Sequence, residues 1–176
     1  WKMTTKKLSK LKFISGIEYL NAFYVHFKLD IDNEMVQQIW YNSLKDIDDK
    51  SFELLITDYC EKNTYPPSSP HSLKEWFDKM IDSKLYDIGK TIYDLENKNM
   101  ILKDHPDGYQ TYYIDYESII ESEHDTTLIS ILKARKNGEI KYLKVEDLKR
   151  YLFDKNNKTL VLENNDKLLL GVGEDE

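Results

Sequence analysis

The chain has 176 residues, 40% of them hydrophobic and 12% aromatic, with thirteen tyrosines and a formal net charge of −7. This length supports one domain with a sizeable core or two small ones, and the composition excludes wholesale disorder. The acidic balance argues against a general nucleic-acid binder, and no apolar run approaches the roughly 20 residues of a membrane span.

Residues 1–12 read as a basic tail without the apolar core of a signal peptide. Met3 reads as the natural start, with Trp1-Lys2 an extraneous remnant ahead of it. Phe13, Ile17, Leu20, Tyr24 and Phe27 then fall three and four residues apart, the spacing of one helical face, with Leu29-Asp30-Ile31-Asp32 ending that helix. Asp32 or Asn33 caps a second helix bearing Met35, Val36, Ile39, Trp40 and Leu44. Asp48 caps a third, in which Phe52, Leu55, Ile56, Tyr59 and Cys60 form an unbroken apolar stripe. Tyr65-Pro66-Pro67-Ser68-Ser69-Pro70 is a stiff link, because each proline fixes its own φ and restrains the residue before it. Ser69 before Pro70 starts a fourth helix with Leu73, Trp76, Phe77, Met80 and Ile81.

A boundary is expected near residues 82–84. Beyond it, residues 86–98 read as a helix with Ile88, Ile92 and Leu95 on one side. Met100-Ile101-Leu102, the turn His105-Pro106-Asp107-Gly108 and residues 109–115 read as strand, turn and return strand. Helix, strand, turn and strand also make the back half of a winged helix. Residues 128–136 read as helical, stopped by Asn137-Gly138, with a short strand at 140–143 and a further helix at 145–153. Residues 159–163 and 168–172 flank Asn164-Asn165-Asp166-Lys167 and read as a terminal hairpin, followed by a frayed acidic end. The expected fold is therefore α+β, mostly α: a four-helix module over 13–82, a smaller α+β region with β-hairpins over 83–173, and an acidic tail at 174–176.

Catalytic signals are missing from this pattern. His26, His71, His105 and His124 are too scattered for a metal spacing, and surface or capping roles are expected of them. Asp30, Asp32 and Glu34 imitate the opening of a calcium loop. Met35 then stands where that loop needs glycine and Tyr41 where it needs glutamate, so helix capping explains the acids better. Six glycines form no phosphate-binding loop, and no nucleophile elbow occurs. The single Cys60 excludes an internal disulfide and fits a reducing compartment, which with the missing signal peptide reads as cytoplasmic. Neither enzymatic activity nor any metal or cofactor is expected. Lys133, Arg135, Lys136, Lys141, Lys144, Lys149 and Arg150 form the most basic internal stretch, a candidate for nucleic-acid contact, although Glu139, Glu146 and Asp147 dilute it. An ion pair between Glu146 and Arg150 is expected there.

Trp40-Tyr41-Asn42-Ser43-Leu44, the acidic link Asp46-Ile47-Asp48, then Phe52, Tyr59 and Tyr65-Pro66-Pro67-Ser68 resemble the helicase loader and inhibitor family of phages of Gram-positive bacteria. The similarity covers about residues 14–76 and includes the aromatic stretch 24–27. It implies a small helical adaptor, without ATPase activity, that binds a hexameric replicative helicase of the host and loads or restrains it. Asp46, Asp49, Tyr65 and His71 are the candidate partner-binding residues. The rival expectation is an inhibitor or counter-defence protein that uses acidic surface to block a host nucleic-acid effector such as a CRISPR nuclease. A third is a winged-helix-like DNA binder using residues 133–150. Direct DNA binding is otherwise expected to be weak or absent.

Overall fold

Helices dominate an α+β fold. The computed structural model describes residues 3–4, 7–155, 159–162, 168–171 and 174–175. By backbone proximity the chain divides into two compact units, Trp1–Asp82 with Thr159–Glu176, and Ser83–Lys158.

In the first unit, helix α1 spans Lys10–Phe23, α2 Glu34–Leu44 and α3 Asp49–Lys62. Each starts at a side-chain cap. Ser9 accepts from the Lys12 amide, Asn33 from those of Met35 and Val36, and Asp48 from that of Ser51, so helix-end donors are satisfied locally. Helix α4, Pro70–Lys98, opens at the expected proline. Phe13, Ile17, Leu20, Trp40, Leu44, Phe52, Leu55, Ile56, Tyr59, Cys60 and Leu73 are buried together. Phe13 packs edge-on to Tyr41 at 5.5 Å between ring centroids and lies 6.3 Å from Phe52. Gly16 permits the close approach of α1 to α3. A Cβ at this position would stand 2.4 Å from Phe52 Cε1.

Several local expectations give way to tertiary contacts. Helix α1 stops at Phe23, before the predicted Leu29 region, and Tyr24 is extended. The Asn21 amide holds both the N–H and the C=O of Leu29, at 3.0 and 3.2 Å, and so folds the following chain back. Phe27 still reaches the core region, 6.1 Å from the Trp40 ring. The basic tail is shorter than predicted: Leu8 is buried and its N–H donates to the Lys45 carbonyl at 2.8 Å. Met35 and Ile39 are exposed, so the buried stripe of α2 is narrower than the pattern implied. The two helices expected on either side of residues 82–84 are one continuous helix, α4. No glycine or proline stands at residues 79–88, across the predicted boundary, and Ile81, Leu85 and Ile92 are all buried along the helix.

Strands close the first unit. Strand β1 (Met3–Thr4) pairs antiparallel with β6 (Glu174–Asp175), two residues of the acidic end expected to fray. Strands β4 (Thr159–Leu162) and β5 (Leu168–Gly171) form the terminal hairpin. Its predicted turn, 164–167, lies outside the described residues. Thr159–Glu176 groups with the first unit, where the sequence pattern places 159–173 with the second part.

The second unit contains the latter part of α4, a hairpin of β2 (Met100–Asp104) and β3 (Gln110–Ile114), and helices α5 (Tyr116–Ser122), α6 (Thr126–Lys136) and α7 (Val145–Lys149). A π-helical segment, Arg150–Lys155, continues α7. Leu85, Ile92, Ile119, Ile131, Leu132, Ala134, Ile140, Leu148 and Leu152 are buried. Helix α5 has no counterpart in the sequence reading. It has seven residues, one of them buried, and it is capped by Asp115 through the Ser118 amide and hydroxyl. Residues 140–143 form no strand. The Ile140 and Lys141 carbonyls are taken by the Arg135 guanidinium at 3.1 and 2.6 Å, which leaves no ladder for a strand to join. No helix among the described residues is long and apolar enough to cross a membrane.

Candidate recognition surfaces

The W-Y-x-x-L segment is scaffold. Trp40 and Leu44 are buried, and the Tyr41 hydroxyl donates to the Leu8 carbonyl at 2.9 Å. The proline link is anchored too. Pro67 is buried, and the Tyr59 hydroxyl donates to the Tyr65 carbonyl at 3.3 Å. With its backbone held, the Tyr65 side chain projects 79% exposed. An exposed aromatic on a restrained backbone loses little entropy when it enters a partner's pocket.

The other candidates of this unit divide by role. Asp46 is exposed, as recognition requires. Asp49 is engaged within the fold: its Oδ1 accepts the Ser9 N–H at 2.6 Å, joining the starts of α3 and α1. His71 is exposed and lies 3.0 Å from Glu75, one helical turn on. No hydrogen bond or ion pair joins any two of these four residues. Cys60 is buried, and burial pushes its thiol above the ordinary value, so it stays protonated and unreactive. Among the described residues no cluster of His, Cys, Asp and Glu is placed to hold a metal ion.

In the second unit the basic stretch is not one surface. Arg135 is withdrawn from it. Its Nε and Nη2 donate to the two Glu96 oxygens at 2.7 and 3.0 Å, and its Nη1 to the carbonyls already described. Tyr116 donates to Glu96 at 2.9 Å. Burial and this bond push the Tyr116 hydroxyl up to about 12, while Glu96 raises Arg135. Sequence reasoning missed Glu96, although its position four residues after Ile92 sets a carboxylate on an apolar stripe. Lys136 pairs with Glu117 at 3.0 Å, and Arg150 meets Asp147 at 3.7 Å in place of the predicted Glu146. Lys133, Lys141 and Lys144 are exposed and have no ion pair among the described residues, and the Lys144 ammonium lies over the Tyr142 ring at 5.5 Å. Lys149 is half-buried.

A cleft of about 290 Å³ opens beside this stretch, lined by Tyr142, Tyr151, Lys141, Arg150, Glu139 and Asp147 together with Ile140. A second, of about 340 Å³, lies by Glu117, Ile120, Glu121, Lys133, Lys136 and Asn137; Lys136 and Glu117 are paired with each other there.

The β2–β3 hairpin is the surface the sequence did not reveal. Met100 pairs with Ile114 and Leu102 with Tyr112 on one face; Ile101 pairs with Tyr113 on the other. Apart from Ile114, every residue of both strands is exposed. Gly108, at φ +84°, supplies the left-handed position of the turn, and His105 stacks on Tyr109 at 4.3 Å. Comparison with known protein families, with curated proteins and with solved structures gives no match.

Proposed function

We propose that this protein is a non-enzymatic adaptor that grips a partner protein, and that the partner is a hexameric replicative helicase of a Gram-positive host. The adaptor loads or restrains that helicase. The hairpin carries the protein-binding role. Ile101, Met100, Leu102, Tyr113, Tyr109 and Tyr112 range from 38% to 68% exposed. A two-stranded hairpin with no covering layer is marginal in water, and clustered exposed apolar side chains are the mark of a contact surface. The choice of helicase rests on the resemblance over residues 14–76. Its motif residues are core here, so recognition in that unit falls to Asp46, Tyr65 and His71.

The test is co-elution of the full chain with purified helicase hexamer, together with the helicase's DNA-stimulated ATPase rate. A stable complex at micromolar concentration and an altered rate are expected. Leu102→Ser with Tyr112→Ser abolishes the complex at a cost in stability of at most about 1 kcal/mol, the worth of one exposed cross-strand pair. Failure to bind at low salt retires the helicase as partner. One observation favours a second reading. Outside residues 133–151 the chain has 29 carboxylates against 18 cations, a balance suited to blocking a basic nucleic-acid groove. Capture of a nucleic-acid effector in competition with its DNA is the result that selects this reading.

A further inference from the structure

We infer that the cleft beside Tyr142 is a binding site for single-stranded DNA. One base seats against Tyr142, and the flanking phosphates meet Lys141, Lys144 and Arg150. The inference stands apart from the adaptor reading, which concerns other surfaces.

The sequence sets up the charge. Residues 133–151 contain seven Lys and Arg against three carboxylates, within a chain that is acidic overall. Folding then sorts these cations. Arg135 turns inward to Glu96 and Lys136 pairs with Glu117. Among the described residues Lys141 and Lys144 stay exposed without an ion pair, and Arg150, 64% exposed, has the 3.7 Å contact to Asp147. Lys141 and Arg150 line the same cleft as Tyr142 and Tyr151. Tyr142 is 64% exposed, with the Lys144 ammonium over its ring. Cations beside an exposed ring are what single strands use, since every base offers a π-face and every linkage a charge.

The cleft itself narrows the ligand class. Its volume of about 290 Å³ sits at the lower end of small-ligand sites (about 300 Å³), enough for one nucleotide and not for an extended cofactor. Glu139 and Asp147 share its lining. Carboxylates there disfavour a phosphate inside the cleft and accept the N–H donors of a base edge, so the base seats in it and the phosphates stay outside on the cations. A duplex keeps its bases stacked inside and cannot offer a face to Tyr142. Because the rest of the chain is acidic, binding is modest and limited by salt.

The experiment is fluorescence anisotropy of the full chain with an end-labelled oligothymidylate. Saturation at micromolar protein in low salt is expected. Three phosphate contacts give a log–log salt slope of about −2, so a fourfold rise in salt weakens binding about 20-fold. Tyr142→Ala weakens it about 10-fold, and Tyr142→Phe retains it. Lys141→Glu with Arg150→Glu weakens it at least about 10-fold and flattens the slope by about 1.4. These side chains are exposed, so the unfolding midpoint stays put and reports that the fold survives. Lys28→Glu with Lys74→Glu makes the same charge change in the first unit and leaves binding unaltered. The inference is overturned by any of four results. These are no binding by the unsubstituted chain, equal weakening by the control pair, equal affinity for duplex, or displacement by equimolar thymidine monophosphate.

Discussion

Removing Arg135 should be among the most damaging single changes outside the aromatic core. Its guanidinium makes four hydrogen bonds, two to Glu96 and two to the Ile140 and Lys141 carbonyls, with 17% and 6% of the Arg135 and Glu96 side chains exposed. Arg135→Ala strands a buried carboxylate that keeps only Tyr116, and it frees two carbonyls. Breaking such a pair from one side costs about 3–5 kcal/mol, a large part of a domain's total of about 5–15 kcal/mol. Lys136→Ala, one residue on, removes only an exposed pair to Glu117 and costs at most about 1 kcal/mol. Replacing both partners, Glu96→Leu with Arg135→Leu, recovers part of the loss, because no unpaired charge remains. Urea unfolding followed by circular dichroism gives the total. Since a chain of two units need not unfold in one step, amide exchange in α6 should localise the effect to the second unit. An α6 protection pattern and midpoint unchanged in Arg135→Ala, or additive energies in the double variant, refute the assignment of this pair as an anchor.

Gly16→Ala reverses the usual helix preference. Alanine ordinarily gains about 0.5–1 kcal/mol over glycine within a helix, but here its Cβ would collide with Phe52, so a net loss of about 1–3 kcal/mol is expected in the urea midpoint. Asp49→Ala costs about 1–2 kcal/mol through the lost Ser9 bond, whereas Asp46→Lys is silent in stability and acts only on partner binding; equal midpoints for the two contradict this division. Stability should fall at alkaline pH. Burial raises Cys60 from its ordinary 9.0 and carries Tyr24 and Tyr116 from 10.0 to about 12. The native state therefore holds these protons after the unfolded chain has released them. The contribution is complete below about pH 9 and is lost as pH climbs through 9 to 12. A denaturant midpoint that stays flat across that window, or that Tyr24→Phe leaves equally steep, argues against it.

Much of the helical scaffold was legible because helix signals are local. Asn33 and Asp48 cap where the sequence places them, Pro70 opens the fourth helix, and the stripe from Phe52 to Cys60 is buried throughout. The stiff link after Tyr65 was legible because prolines constrain their own neighbourhood, while the exposure of the Tyr65 side chain is read from the structure. What stayed hidden depends on side chains capturing particular backbone or charged groups, which apolar spacing does not record. Asn21 capturing Leu29 ends α1 early, and Arg135 capturing the Ile140 and Lys141 carbonyls turns a predicted strand into a loop. Pairing with Glu96, 39 residues away, removes Arg135 from the basic surface, and pairing with Ser9, 40 residues away, removes Asp49 from the acidic one. Met100-Ile101-Leu102 reads locally like any buried strand, and only the tertiary structure leaves both of its faces uncovered. Periodicity tells which side chains share a face. Whether another layer reaches that face is set by how the chain folds back, and no local spacing records it.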